Sequence, residues 1–110
     1  MTSDGGTLQR IQELAQRGEV RISEHGYDEL AEDELYVDEL VVGLGEAVLI
    51  EDYPVYGKGP CVLVLQRDAQ GKPVHVVWGI PKNLTAPAVL VTAYRPDTRR
   101  WSEDFMRRKR

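Results

Sequence analysis

The chain has 110 residues, of which 42% are hydrophobic and 29% are charged. This length suits one compact domain and is too short for two ordinary ones. Leu, Ile, Val and Phe together account for 29 residues. That is enough apolar side chain to bury a core, and it excludes a wholly disordered chain.

The formal net charge of −4 is unevenly distributed along the chain. Residues 1–21 carry three acids and three bases, residues 22–57 carry eleven acids and no base, and residues 58–110 carry four acids and eleven bases. The three segments therefore have charges of 0, −11 and +7. An acidic protein can still present a cationic surface to a phosphate-bearing partner, so contact with nucleic acid is expected from the third segment.

The sequence carries no sign of secretion or of membrane insertion. Its one cysteine, Cys61, cannot form an internal disulfide, and no apolar run approaches the roughly 18 residues of a membrane span. The first ten residues lack the basic segment and apolar stretch of a signal peptide. We therefore expect a cytoplasmic protein without membrane contact, in which Cys61 is a small buried residue rather than a reactive thiol.

The first half of the chain has the apolar spacing of helices, after a flexible segment over residues 1–6. The predicted helices cover about residues 7–17, 23–33 and 37–44. Ser23 is the expected N-cap of the second helix. A short β-like run, Val20–Ile22, separates the first two helices and has no predicted place in a sheet.

Four strands are predicted after Gly45, where β-branched residues replace the helical pattern. They cover Ala47–Tyr53, Cys61–Arg67, Val74–Ile80 and Ala88–Arg95. The connections are short and contain Pro, Gly, Asn or Asp, so a four-stranded antiparallel meander is expected. Both alternating sets of the second strand are apolar, which favours an interior position with cover on both faces. Helices packed on this sheet give an α+β fold.

The chain after the last strand is predicted to form a short helix from about Ser102. Trp101 and Phe105 would pack on the domain from the start of this helix, since they are four residues apart. The basic end, residues 107–110, is expected to fray. One domain over residues 7–106 follows, with no internal repeat.

The first candidate site combines a histidine with two carboxylates on one helix. His25, Glu29 and Asp33 stand at i, i+4 and i+8, so they share a face of the second helix. Such a group could bind a divalent metal ion, or a carboxylate could orient the imidazole as a general base. A solvated acidic helix face is the simpler interpretation. The sequence contains no motif that indicates a cofactor.

The second candidate site lies among apolar strands. His75 is flanked by two valines, and an antiparallel pairing can bring Thr92 or Tyr94 of the last strand beside it. An imidazole, a hydroxyl, a phenol and a nearby cation such as Arg95 are the groups that metal-independent phosphodiester cleavage requires. Structural roles within the sheet are the simpler interpretation of these side chains.

Basic residues outside these two clusters are candidates for binding the phosphates of a substrate. Two of them lie in turns between strands and two in the tail: Lys58, Lys82, Arg99 and Arg100. The end of the chain adds Arg107, Arg108, Lys109 and Arg110. A solvated chain end is the simpler interpretation of this last group.

Three stretches of the chain resemble a bacterial family. ISEHGYDELAEDEL, IEDYPVYGKGPCVLVLQRDAQGKPVHVVWGI and AVLVTAYRPDTRRWSEDF are similar to domain of unknown function 4258 (DUF4258), over about residues 20–106. The layout of this family is similar to the RelE-like or barnase-like ribonuclease fold of toxin–antitoxin systems. Its relatives often stand beside small zinc-finger proteins of antitoxin type. The resemblance therefore implies an RNA-cleaving toxin with an antitoxin protein as its partner.

The same resemblance implies a set of functional positions. The family's polar positions fall on His25, His75, Thr92 and Tyr94. Many relatives carry arginines on the helix where this chain has Glu29 and Asp33. This difference replaces cations that would bind phosphate with acids that would repel RNA, so the positive charge must come from elsewhere, with Lys58, Lys82 and Arg95 as candidates.

The favoured hypothesis is a toxin-type ribonuclease with a RelE-like fold and no cofactor. It uses His75 or His25 as the general base, Tyr94 as a proton donor or phosphate ligand, and Arg95 as a cation at the transition state. One alternative is a non-catalytic interaction module that docks a basic partner on the acidic segment 22–57. Another is a metal-dependent hydrolase built on the histidine and carboxylates of the second helix.

Overall fold

A computed structural model describes residues 6–109 of the chain. The elements are α1 Gly6–Gln16, β1 Val20–Ile22, α2 Glu24–Glu32, α3 Val37–Gly43, β2 Val48–Tyr53, β3 Cys61–Arg67, β4 Pro73–Gly79 and β5 Ala88–Tyr94. A single 3₁₀ turn, Leu44–Glu46, joins α3 to β2. The three predicted helices, the cap at Ser23 and the four predicted strands are thus confirmed. The expected flexible start lies mostly outside the described residues, and Gly6 already belongs to α1.

The strands form one five-stranded sheet in the order β1-β5-β4-β3-β2. Strands β2 to β5 are antiparallel neighbours, as the short turns predict. Strand β1 pairs in parallel with β5, joining Val20–Ile22 to Ala88–Leu90. The predicted antiparallel meander of four strands is therefore present, but the expectation that it forms the whole sheet is wrong, because β1 adds a fifth, parallel strand. The sequence does not reveal the place of β1, because its three residues are too few to show a period-2 pattern and the strand that it pairs with lies far away in the sequence.

The hydrophobic core lies between the helices and one face of the sheet. The helices contribute mainly Ile11, Leu14, Leu40 and Leu44, which are almost completely buried. Alternate residues of β3 and β4 meet them: Val62, Val64, Val74, Val76 and Trp78. On the opposite face of β3, Leu63 and Leu65 are also buried. The interior position predicted for this strand is therefore confirmed.

One polar contact crosses this core. Gln66 is 1% exposed, and its amide nitrogen donates to the carbonyl oxygen of Leu40 at 2.8 Å. Its amide oxygen accepts a hydrogen bond from the indole nitrogen of Trp78 at 2.8 Å. Both ends of the side chain are used, so β3 is joined to α3 and to β4 at no cost in unsatisfied polar groups.

Helix α2 runs along the edge of β5 beyond the point where β1 ends. The hydroxyl of Ser23 donates to the carbonyl oxygen of Val91 at 2.8 Å. Ten residues further, a carboxylate oxygen of Asp33 accepts the backbone amide of Arg95 at 3.0 Å. The helix therefore supplies hydrogen-bond partners to backbone groups of β5 that would otherwise form an open sheet edge. None of the helices in residues 6–109 is long and apolar enough to cross a membrane.

The tail, residues 97–109, is an irregular segment that packs on the sheet face opposite the helices. The predicted helix from Ser102 is wrong, because Trp101 and Arg108 instead form an antiparallel bridge. Phe105 has a φ of 62°, which lies outside the helical region. Trp101 is 6% exposed, so its predicted packing on the domain is confirmed.

Side chains of the tail explain why a helix does not form there. The hydroxyl of Ser102 accepts the backbone amide of Arg107 at 3.1 Å, and the carboxylate of Asp104 accepts the amide of Met106 at 3.1 Å. Short polar side chains that bond nearby amides in this way compete with the hydrogen bonds of a helix.

Candidate functional site

A cleft of about 860 Å³ lies on the sheet face opposite the helices. Its lining includes the cations Arg21 and Lys58 and the imidazole of His25. Two tyrosines also line it, and apolar side chains of β4 and β5 contribute Val77, Val89 and Val91. Among residues 6–109, no carboxylate belongs to this lining, although the chain contains 18 acidic residues. The cleft is therefore a cationic site on an acidic protein.

The turn between β2 and β3 is held against the end of β4, and this contact places Lys58 at the cleft. The backbone amide of Lys82 donates to the carbonyl oxygen of Lys58 at 3.0 Å, and the amide of Gly59 donates to that of Tyr56 at 2.9 Å. Gly59 has a φ of 121°, and a Cβ there would lie 2.0 Å from the carbonyl oxygen of Ile80. Only glycine permits this approach.

A β-bulge in β5 lies beside the same cleft. Val77 pairs with Thr92 and the next residue, Trp78, pairs with Leu90, so Val91 has no opposite residue on β4. Bulges change the direction of the side chains around them and are common next to functional sites.

His25 lies in the first turn of α2, where its side chain is 70% exposed. Its Nε2 lies 3.4 Å from Oε1 of Glu29, a residue whose side chain is 26% exposed. The same carboxylate oxygen accepts a hydrogen bond from Oγ1 of Thr92 at 2.6 Å. Thr92 thus fixes the carboxylate, and the carboxylate faces one nitrogen of the imidazole, which leaves Nδ1 for a substrate. The structure brings these three predicted site residues together.

Asp33, the third residue of the predicted metal site, does not join this group. Its carboxylate instead accepts a hydrogen bond from the backbone amide of Arg95 at the edge of β5. In the part of the chain that the structure describes, no three His, Cys, Asp or Glu side chains are grouped closely enough to hold a metal ion. The three residues that the metal-dependent alternative requires are therefore not grouped in the structure, because the carboxylate of Asp33 is bonded at the sheet edge.

His75 lies in a separate cluster that the tail covers. It is 0% exposed, and its Nε2 donates to the carbonyl oxygen of Phe105 at 2.8 Å. Its Nδ1 lies 3.2 Å from the hydroxyl of Tyr94, and the ring of Trp101 packs edge-on at 4.3 Å. Burial lowers the pKa of His75 and raises the pKa of Tyr94. Both shifts favour the neutral forms, in which the phenol donates to the imidazole.

Arg108 fastens the tail over this cluster. Its guanidinium donates to both carboxylate oxygens of Glu51, at 2.7 Å and 3.3 Å, and lies 4.8 Å from the ring centroid of Trp101. The hydrogen bond from Arg108 holds the pKa of Glu51 below its ordinary value. The expected fraying of the basic end is therefore wrong at Arg108, since an ion pair and a cation–π contact hold it in place.

The other predicted cations do not line the cleft. Arg95 pairs with Asp68 at 2.8 Å, in a second cleft of about 400 Å³ whose lining is rich in carboxylates. Arg99 pairs with Asp97 at 3.1 Å. Two further predicted residues are exposed but lie outside the cleft lining: Lys82 and Arg100. Of the four predicted phosphate-binding residues, only Lys58 is at the cleft.

Three residues of the cleft are missing from the sequence-based prediction. Arg21 alternates with two core-facing residues of β1, so its outward position follows once that short run is placed in the sheet. Tyr53 and Tyr56 precede Lys58 in the turn YPVYGKGP. The combination of aromatic residues and a cation in one turn is the signal that could have identified them.

Cys61 also lines the cleft but has no sign of a reactive thiol. Burial, with a smaller contribution from the nearby carboxylate of Asp52, raises the pKa of its thiol. The protonated form is therefore favoured, and a protonated thiol is a poor nucleophile.

The fold and the cleft together define a small α+β domain with a cationic site on one face of a mixed sheet. A family model, Domain of unknown function (DUF4258), matches residues 22–95. The chain therefore belongs to this family, and the resemblance drawn from the sequence is confirmed. A search of curated proteins and a search of solved structures gave no match to the chain. The matched region contains α2 to β5, whereas Arg21 and the tail lie outside it.

Proposed function

We propose that this protein is an endoribonuclease of toxin type, with the cleft lined by His25, Lys58 and Arg21 as its active site. The observation that supports the proposal most is the charge of the lining, which contains two cations and, in the described residues, no carboxylate. A phosphodiester backbone is the kind of polyanion that such a lining attracts. The toxin role, with an antitoxin partner that blocks the cleft, rests on the family resemblance.

In this proposal His25 is the general base of a metal-independent cleavage. The imidazole, positioned by Glu29, takes the proton of a ribose 2′-hydroxyl on Nδ1. The 2′-oxygen bonds to the adjacent phosphorus, the bond between phosphorus and the 5′-oxygen breaks, and water gives the 5′-oxygen a proton. The products are a 2′,3′-cyclic phosphate and a 5′-hydroxyl. Lys58 and Arg21 stabilise the negative charge of the pentavalent phosphate.

Accessibility favours His25 over His75 as the base. A general base must come within about 3 Å of the group that it deprotonates. His25 is largely exposed at the cleft, whereas His75 is buried and both of its nitrogens have partners within the protein. In the same cluster Tyr94 supports the sheet and the tail, and we assign it a structural role.

The test is the cleavage of a single-stranded RNA by the purified protein and by its His25→Gln variant. We expect the wild type to produce 2′,3′-cyclic phosphate ends and the variant to cleave about 100-fold more slowly, as the loss of a general base predicts. Glu32→Gln is the matched control, since Glu32 is exposed on the same helix and does not line the cleft. We expect it to cleave at the wild-type rate, and circular dichroism verifies that each variant is folded.

Two results would overturn the proposal: RNA that stays intact with the wild type, or equal cleavage by His25→Gln. If the rate depends on His75→Gln instead, the chemistry belongs to the cluster beneath the tail. Intact RNA would favour the alternative function as an interaction module for a basic partner. On that alternative, the acidic helical segment presents Tyr27 and Tyr36, which are 59% and 65% exposed.

A further inference from the structure

Two tyrosines at the rim of the cleft have no role in the cleavage step. Tyr53 ends β2 and Tyr56 lies in the following turn, and both line the cleft. Their side chains are 41% and 55% exposed. Their ring centroids are 6.5 Å apart and their planes are tilted by 58°. The rings are therefore not stacked on one another, and exposed ring surface remains for a ligand.

Hydrogen bonds within the protein hold the side chain of Tyr53 and the backbone at Tyr56. The hydroxyl of Tyr53 donates to Glu51 at 2.7 Å, and Glu51 is itself paired with Arg108. The turn at Tyr56 is closed by the amide of Gly59. The ordered ring of Tyr53 therefore gives contact area on binding at a small cost in conformational entropy.

The rest of the cleft matches the other parts of a nucleotide. Val77, Val89 and Val91 give it an apolar surface, and Arg21 and Lys58 carry positive charge at its lining. Proteins that bind single-stranded nucleic acids combine cations for the backbone with aromatic and apolar surfaces for the faces of the bases. In a duplex these faces are stacked inside the helix, so a site of this kind favours an unpaired strand.

We propose that Tyr53 and Tyr56 form a nucleobase platform that selects unpaired RNA over duplex RNA. The inference rests on the proposed function and adds the class of substrate to it. A base stacks on one of the two tilted tyrosine rings and lies against the apolar floor of the cleft, and a neighbouring phosphate contacts Lys58, which follows Tyr56 by two residues. The His25 imidazole lines the same cleft and reaches the ribose of the bound strand.

The platform is tested by binding, with a fluorescent oligoribonucleotide whose 2′-hydroxyls are replaced by fluorine. This probe cannot be cleaved by attack of a 2′-oxygen, and fluorescence anisotropy compares it as a single strand and as a duplex with its complement. We expect the single strand to bind at least about 10-fold more tightly than the duplex. Tyr56→Ala should weaken single-strand binding by about 10-fold, and Tyr56→Phe, which keeps the ring, should bind like the wild type.

Val55→Ala is the matched control for these variants. Val55 lies in the same turn and is 95% exposed, but it does not line the cleft, so this variant should bind like the wild type. Equal affinities of Tyr56→Ala and Val55→Ala, equal binding of single strand and duplex, or no binding of either probe would overturn the platform.

The two assays can reject the platform and the ribonuclease proposal independently of each other. Tyr56-dependent binding of the single-stranded probe, with no cleavage of ordinary RNA, would overturn the ribonuclease proposal and keep the platform. Cleavage that depends on His25, with unchanged binding in Tyr56→Ala, would overturn the platform and keep the ribonuclease.

Discussion

The two histidines of this protein occupy opposite environments. His25 is exposed beside the carboxylate of Glu29, whereas His75 is fully buried beneath Trp101 with both nitrogens bonded. The valines around His75 predict burial in a strand, but its complete burial depends on the tail that crosses the sheet. The chemical roles open to an imidazole are the same in both cases, and its surroundings decide which role it takes.

The burial of His75 predicts a loss of stability in mild acid. Its pKa lies below the ordinary value of 6.5, so the unfolded chain takes up a proton at a higher pH than the folded protein does. His75 does not destabilise the fold above about pH 6.5, where the imidazole is neutral in both states. The free energy of unfolding falls as the pH drops from there toward the pKa of His75 in the folded protein. The groups facing the ring, namely the Phe105 carbonyl, the Tyr94 hydroxyl and the Arg108 guanidinium, include no carboxylate that would offset the new charge.

Urea unfolding at about pH 7.5 and at about pH 5 measures this effect in the wild type and in His75→Gln. We expect the free energy of unfolding to drop more in the wild type, because glutamine does not titrate. Glu51, whose pKa is lowered, loses its stabilising charge only below about pH 4.5 and so does not enter the comparison. An equal drop in the two proteins would contradict the prediction.

Helix α2 joins the candidate site to the edge of the sheet. Its spacing correctly predicts that His25, Glu29 and Asp33 lie on one side of the helix, but that side is packed along β5. Glu29 is bonded to Thr92, and Asp33 is bonded to the amide of Arg95. Acids expected to repel RNA or to bind metal are therefore engaged within the fold, and only the imidazole of the group lines the cleft.

The contact at the end of α2 can be tested with Asp33→Ala. We expect the free energy of unfolding to fall by about 1 kcal/mol, because the partly buried backbone amide of Arg95 loses its hydrogen-bond acceptor. We also expect faster hydrogen exchange at that amide, measured by NMR. Glu32→Ala is the control, since Glu32 is an exposed neighbour on the same helix. Unchanged exchange at Arg95 would show that the carboxylate does not protect the edge.

At the scale of the whole molecule, the division of charge along the chain differs from the division of charge on the surface. The proposed active site takes Arg21 from the neutral segment, His25 and two tyrosines from the acidic one, and Lys58 from the basic one. The basic tail is partly neutralised by the pair between Arg108 and Glu51. Net charge by segment predicts the nucleic-acid contact in residues 58–110, whereas the proposed active site draws on all three segments, since the folded chain brings distant residues together.

The tail contributes to the fold through the buried ring of Trp101, which contacts both His75 and Arg108. We expect Trp101→Ala to lower the free energy of unfolding by about 3 kcal/mol, as the removal of a buried aromatic ring predicts. We also expect faster cleavage by trypsin after Arg99, because the tail would detach more often.

Urea unfolding and limited proteolysis measure the two effects. Thr98→Ala, at an exposed position of the same tail, is the control for both. Wild-type stability in Trp101→Ala would mean that the tail is only loosely attached to the sheet.

The amino-acid sequence by itself determined the α+β class, three helices, four strands, the cap at Ser23 and the family. Each of these depends on periodicity, capping or turn chemistry within a few neighbouring residues, so a local pattern was sufficient. The tertiary structure alone decided that β1 pairs with β5, that the tail covers His75, and that Arg21 and Lys58 meet His25 in one cleft. These outcomes depend on contacts between residues far apart in the chain, and the pattern of neighbouring residues does not indicate how favourable such contacts are.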